Sequence, residues 1–304
     1  MAMVGERLRT WRERRRVSQL DLSLQAGISA RHLSFVETGR SKPSSGLILR
    51  LSEELDVPLR ERNALLLAGG FAPAYPEREL DAPPLSAVTE AMRQVITAHM
   101  PNPALAVDGH WELIDANDAV FRMVEGTAPE LMEPPINVLR VSLHPDGMAP
   151  GIVNLAQWRR HVLFRLRRQA DRSGDPFLHE LYEELSGYPG GGEARETGEF
   201  GGVGAANRSG VAGGSDEAGG LGMAGGLAEA GGLAGTGGLA GTGGVGGAED
   251  VVLPMRLRMG GRELSFLSTT TVFGSPLDVT VAELAIESFY PADAATAEAM
   301  RALA

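Results

Sequence analysis

Apolar residues recur at helical spacing through the first seventy positions. Leu8 and Trp11 share the inner side of a first helix predicted from about Gly5 to Arg15. Ser18 reads as the cap of a second helix, with Asp21 three residues on as its reciprocal partner. That helix stops at Gly27, where a left-handed residue makes a tight turn. Ile28 fills the gap between helices, and Ser29 caps a third that runs to about Thr38, ended by Gly39. A fourth helix starts near Ser44 or Ser45 and is expected to bury Leu47, Leu51 and Leu55. A fifth starts at Pro58, buries Leu65 and Leu66, and closes on Gly69-Gly70.

Beyond that point the pattern changes three times. Residues 71–84 carry four prolines and read as a linker. Residues 85–186 mix both periodicities. Pro103–Val107 and Trp111–Asp115 form a strand pair around Asp108-Gly109, Asn117 or Asp115 caps a helix through Val124, and INVLRVSL (136–143) is an apolar segment. A long amphipathic helix is predicted over 151–171, with Ile152, Leu155, Trp158, Val162, Leu166 and Gln169 near one stripe. Asp175 caps a shorter helix over 176–186. Near the end, VVLPMRLRM and ELSFLSTTTVF alternate around Gly260-Gly261 as a hairpin, and helices are predicted over 280–288 and 293–303. Strand pairs flanking helices make an α+β domain, expected as a mixed sheet with helices on one face.

Residues 187–248 interrupt this domain. They hold 26 of the chain's 40 glycines, and from Gly219 onward they fall into six-residue units such as GGLAGT. A hexapeptide solenoid has this period, but it stacks bulky residues inward in every turn. One Leu or Val per unit cannot offset the backbone entropy glycine loses on ordering, so the insert reads as flexible and disordered. Replacing a loop of about eight residues by this length costs only ~2 kcal/mol of closure entropy. Residues 85–304 are therefore expected to be one domain split by the insert.

Charge sharpens the division. The chain carries −11 overall, yet residues 1–62 hold twelve Arg and Lys against eight Asp and Glu. A basic head on an acidic body suits a protein that offers one face to phosphates. There is no cysteine, no apolar run approaching the roughly 18 residues of a membrane span, and no signal-peptide core. The expectation is a cytoplasmic protein without membrane insertion. The six histidines never sit three or four apart, and no phosphate loop, nucleophile elbow or dinucleotide fingerprint occurs. No catalytic residue, metal or cofactor is therefore expected, and the chain does not read as an enzyme.

Two short helices joined through a glycine turn, the second capped by Ser, form the geometry that carries a helix N-terminus into the major groove of double-stranded DNA. SQLDLSLQAGISARHLSFVETGRSKPS resembles the Xre/Cro-type repressor helix-turn-helix along its full length. The resemblance implies Gln19 as a phosphate clamp, Arg12 paired with Glu37 as scaffold, and Ser29, Ala30 and Arg31 at base-reading positions. His32, Arg40 and Lys42 match phosphate-contacting or flanking positions. Arg31 suits guanine, whose O6 and N7 its fork can bond together, and Ala30 can touch a thymine methyl. The run Arg14–Arg16 is either a weak phosphate contact or a solvated helix end.

The blocks PALAVDGHWELIDANDAVF, PPINVLRVSLHPDGMAPGIVNLAQWRRHVLFRLRRQA and SPLDVTVAELAIESFYPADAATAEAMR, following this head, resemble the MmyB-like transcription regulators of actinobacterial type. The resemblance implies a PAS-like ligand-binding domain, with a fatty acid or other apolar molecule as occupant. Phe121, Leu139, Trp158, Val162, Phe177, Phe266 and Phe273 sit on expected inner faces, as pocket lining or as plain core. Arg140 and His144 follow an apolar run and can meet a carboxylate head group. Three readings follow: a ligand-responsive regulator, a regulator whose second domain only dimerises or binds a protein, or an enzyme using the head as a partner module. A single head reads about half an operator, so a homodimer on symmetric sites is expected.

Overall fold

The computed structural model describes residues 4–189 and 252–303, so the insert from residue 190 onward, and the reading of it as flexible, lies outside the described residues. Five helices come first: α1 (Val4–Arg14), α2 (Gln19–Gln25), α3 (Ala30–Glu37), α4 (Ser45–Glu54) and α5 (Leu59–Ala68). Their starts follow the capping serines. Ser18, Ser29 and Ser44 each accept a hydrogen bond from the backbone N–H three residues on, at 3.1, 3.1 and 3.3 Å. Gly27 has φ +63° and Gly39 φ +73°, the left-handed backbone their turns require. Leu8, Trp11, Leu22, Leu33, Leu51 and Leu65 meet in one core. In α4 the buried residues are Ile48, Leu51 and Ser52, with Leu55 buried just past its end; Leu47, expected inside, is only half-buried at its edge. LILRL offers two overlapping stripes, and packing against α2 and α5 selects the one through Ile48.

Two features lock α1 to α3. A Cβ at Gly5 would overlap the Val36 carbonyl, so only glycine allows this approach. Below it, Arg12 Nε and Nη2 donate to Glu37 Oε1 and Oε2 at 2.7 and 2.9 Å, a bidentate pair with Glu37 buried. Arg12 also donates to the Val17 carbonyl at 3.0 Å.

The rest builds an α+β unit: α6 (Ser86–Ala98), β1 (Ala104–Val107), β2 (Leu113–Ala116), α7 (Asp118–Met123), α8 (Val138–Leu143), α9 (Leu155–Ser173), α10 (Pro176–Ser186), β3 (Met255–Met259), β4 (Arg262–Val272), α11 (Val279–Glu283), β5 (Ala285–Pro291) and α12 (Ala294–Ala302). The sheet order is β2-β1-β5-β4-β3, and every neighbouring pair is antiparallel, where a mixed sheet was expected. The difference lies in 285–291, part of it read as helix from the sequence. This segment is the central strand, and its first four residues are all buried because both faces are covered. Burial on both sides erases the alternation that marks a strand.

Other departures have similar causes. Within the apolar segment 136–143, to which the sequence assigns no element type, Val138–Leu143 form a helix capped by Asn137, whose Oδ1 accepts from the N–H of Leu139 and Arg140. The long helix begins at Leu155, because Ile152 is held in a bridge to Leu257 of β3. Helix α6, not distinguished in the sequence, covers the outer face of the sheet with Met92 and Ile96 against Ala104, Ala106 and Ile286. The inner face packs on α9 and α10.

Both edges of the insert are pinned to the start of α9. Asn154 donates to the Pro254 carbonyl at 2.8 Å and accepts from the Arg256 N–H at 2.9 Å. Arg159 donates to the carbonyls of Leu185, Ser186 and Tyr188. The sheet edge next to the insert is thus held by residues outside it.

The proline-rich stretch 71–84 is a strap rather than a free tether. Asn63 of α5 accepts from the N–H of Ala74 and Tyr75, while the N–H of Val279 donates to the Pro76 carbonyl at 2.8 Å. The five-helix head also touches the second unit directly. Arg60 of α5 forms a bidentate pair with Glu283 of α11, both bonds 2.8 Å. Arg15 donates to the Arg172 carbonyl and Arg172 to Asp56, both at 3.1 Å.

Arg12→Ala should destabilise the head by about 3–5 kcal/mol, because it strands a buried carboxylate. Arg12→Met combined with Glu37→Leu should recover most of that loss. Urea unfolding of the three proteins measures both; a single-variant loss below about 1 kcal/mol would show that the pair does not hold α1 to α3.

Candidate functional site

Two sites emerge from this frame. The first is the exposed edge at the start of α3. Ser29, Arg31 and His32 are exposed there, Ala30 is half-buried, and Arg40 and Lys42 are exposed beyond the helix. Gln19 opens α2, and its Nε2 donates to Glu37 Oε2 at 2.7 Å. A primary amide has two N–H donors, so this bond fixes the group and leaves one donor for a phosphate. Arg12, Glu37 and Gln19 form one network joining α1, α3 and the N-terminus of α2.

Sequence reasoning passed over Phe35. The guanidinium groups of Arg31 and Arg40 lie 5.3 and 5.9 Å from its ring, so one aromatic carries two of the cations. The spacing of Arg31 and Phe35, four apart on a helix, is the signal that was available. The run Arg14–Arg16 divides. Arg15 is committed to the carbonyls of Leu55, Asp56 and Arg172, and burial pulls its pKa down; Arg16 stays exposed.

The second site is a cavity of about 90 Å³ between the inner sheet face and helices α7, α8 and α9. A single water needs roughly 10–15 Å³, so the space is several times larger. Phe121, Leu139, Trp158 and Val162 line it. Phe121, 51 % exposed, stands where the cavity meets solvent. The remaining lining is apolar except for Ser142, Arg165 and Glu287. Ser142 Oγ accepts from Trp158 Nε1 at 3.0 Å.

The charged end is tightly organised. Arg165 Nη2 donates to Glu287 Oε1 at 2.7 Å and to Thr270 Oγ1 at 2.9 Å, and Thr270 donates to Glu287 at 2.6 Å. The Arg165 guanidinium also lies 5.2 Å from the Trp111 ring. His161, one turn earlier on α9, has its pKa lowered, first by burial and then by Arg165, which keeps its ring neutral near neutral pH.

The other expected pocket residues lie elsewhere. Arg140 pairs with Glu184 of α10 through bonds of 2.7 to 3.1 Å, outside the cavity, and that partner raises its pKa. His144 accepts from the Asp146 N–H and packs on the Tyr188 ring at 4.9 Å. Neither reaches the cavity, because α8 turns its apolar side inward and leaves its polar side toward α10. Phe266 is fully buried core, Phe177 packs on His110 at 4.5 Å, and Phe273 sits half-buried past the end of β4. Arg165 and Glu287 escaped sequence reasoning: Arg165 was one Arg among several on a helix, and Glu287 lay in a misread strand.

Among the described residues, no helix is long and apolar enough to cross a membrane, and no group of three or more His, Asp or Glu side chains is placed to hold a metal ion. Residues 8–62 match the helix-turn-helix family model, and residues 88–199 match that of the MmyB-like transcription regulator ligand binding domain. The second match ends within the insert; strands β3 to β5 lie beyond it and complete the sheet that β1 and β2 begin. No curated protein matches the chain. The matched families are those of transcription regulators rather than enzymes. With an Xre-like helix-turn-helix head and an MmyB-like ligand-binding domain, this chain is a DNA-binding transcription regulator.

Proposed function

We propose that the protein is a ligand-controlled regulator whose cavity takes an apolar molecule with an acidic end, a fatty acid being the class that fits. One observation carries this reading: an apolar cavity ends on a half-buried guanidinium, that of Arg165, paired with the buried carboxylate of Glu287. Arginine offers five N–H donors, and Glu287 and Thr270 engage a single nitrogen. The remaining donors suit a carboxylate, and the Arg165–Glu287 pair is the contact such a head group would share or displace.

In this reading the division of labour is a head over 1–70, a strap over 71–84 and a sensor over 85–304. Ser29, Ala30 and Arg31 read base edges, while Gln19, His32, Arg40 and Lys42 hold or flank phosphates. One head spans half an operator, so two copies act together on a symmetric site, in the cytoplasm where the DNA is.

Arg31→Ala should cost ~1–3 kcal/mol on a selected operator and relax one base position. Equal weakening on every sequence would instead make Arg31 a phosphate contact. For the cavity, calorimetric titration should show laurate binding roughly ten-fold or more tightly than dodecanol, as a charged hydrogen bond implies. Arg165→Met should abolish that preference and Arg140→Ala should leave it. A preference unchanged in Arg165→Met would remove Arg165 from the head-group site.

A further inference from the structure

The turn Asp108–Trp111, between β1 and β2, touches both the cavity and the joint with the head. Trp111 lines the cavity and has φ +67°, a left-handed backbone that a bulky aromatic rarely adopts. Several bonds hold it there. Asp108 Oδ1 accepts from the N–H of His110 and Glu112 at 2.9 and 2.8 Å, and the Trp111 carbonyl accepts from the Val138 N–H at 3.0 Å. Gln169 of α9 braces both ends of the turn. Its Oε1 accepts from Trp111 Nε1 at 2.7 Å, and its Nε2 donates to the Gly109 carbonyl at 2.9 Å.

From the same turn two contacts run to the head. Gly109 is pressed against Glu283, whose side-chain carbons would lie 3.3 to 3.5 Å from a Cβ at that position. Glu283 is the carboxylate that grips Arg60 of α5. His110 bonds Asp175 at 2.8 Å, and the preceding Gly174 leaves no room for a Cβ beside the Arg14 guanidinium of α1. A second, separate hollow of about 190 Å³ lies beneath the head, bounded by Pro58, Trp111, His110 and Glu283, so Trp111 is a wall shared by both spaces. Meanwhile Arg31, His32, Arg40 and Lys42 stay exposed with the head docked, so the docked sensor does not cover the reading edge.

We infer that Trp111 is a strained switch: filling the cavity changes the Asp108–Trp111 turn, which resets the Glu283–Arg60 and Gly174–Arg14 contacts and re-aims the head. The ligand part of this inference rests on the cavity reading above. Strain held by surrounding bonds at a shared wall is a place that both the cavity and the head can bias. Because the reading edge is open, control acts on the angle of the head rather than by masking it.

Hydrogen exchange on the full-length, ligand-free protein tests the turn-to-head link without any ligand. Gln169→Leu removes the brace, and Trp111→Phe removes the indole donor together with part of the ring. Both should speed exchange in 59–68 and 279–284 by about ten-fold, while Val162→Ala, on the cavity wall away from the turn, should not. Wild-type exchange in Gln169→Leu and Trp111→Phe would overturn the link. Reciprocity supplies the second arm: Glu283→Gln, outside the cavity, should change laurate affinity about five-fold or more, and Glu263→Gln on the far hairpin should not. Unchanged affinity in Glu283→Gln overturns the coupling. If wild-type protein binds no laurate while the exchange differences appear, the fatty-acid reading fails and the turn-to-head link stands.

Discussion

The second half of this protein depends on β5 finding its place between β1 and β4. Residues 285–291 come from the far end of the chain, yet they form the centre of the sheet. Antiparallel bonds to β1 on one side and β4 on the other join two hairpins that would otherwise be separate, and an isolated hairpin is marginal in water. The same strand brings Glu287 opposite Arg165, so closing the sheet also assembles the charged end of the cavity. Glu287 is nearly buried, and an unpaired carboxylate there would be costly; the bonds from Arg165 and Thr270 remove that penalty.

This closure also explains how the fold accommodates a long glycine-rich insert. The insert separates α10 from β3 in sequence, but its flanks are fixed to Asn154 and Arg159 at the beginning of α9. The head relies on an equivalent but smaller device. Arg12, Glu37 and Gln19 tie three helices together around one buried carboxylate, and the DNA edge is built on top of that network.

Head and second unit are not beads on a string. The strap from Ala74 to Arg78 bonds α5 on one side and the α11 segment on the other, and two arginines of the head, Arg15 and Arg60, reach directly into the second unit. The exposed ion pairs among these contacts are individually weak. Together with Gly109 against Glu283 and Gly174 against Arg14, they define one docking geometry that can be shifted at modest cost.

Sequence alone determined the features that short-range chemistry writes. The serine caps, the glycine turns, the helix-turn-helix spacing and the Gly260-Gly261 hairpin were all legible, because each depends on neighbours a few positions away. What only the tertiary structure decided depends on burial from both sides or on partners far apart. A strand covered on both faces loses its alternation, so β5 looked helical. Arg140 beside an apolar run looked like the head-group contact, yet Glu184 on α10 claims it. Arg165 looked like surface charge, yet it meets Glu287 from the opposite end of the chain. Periodicity reports which way a side chain faces on its own element; only folding selects the partner that waits there.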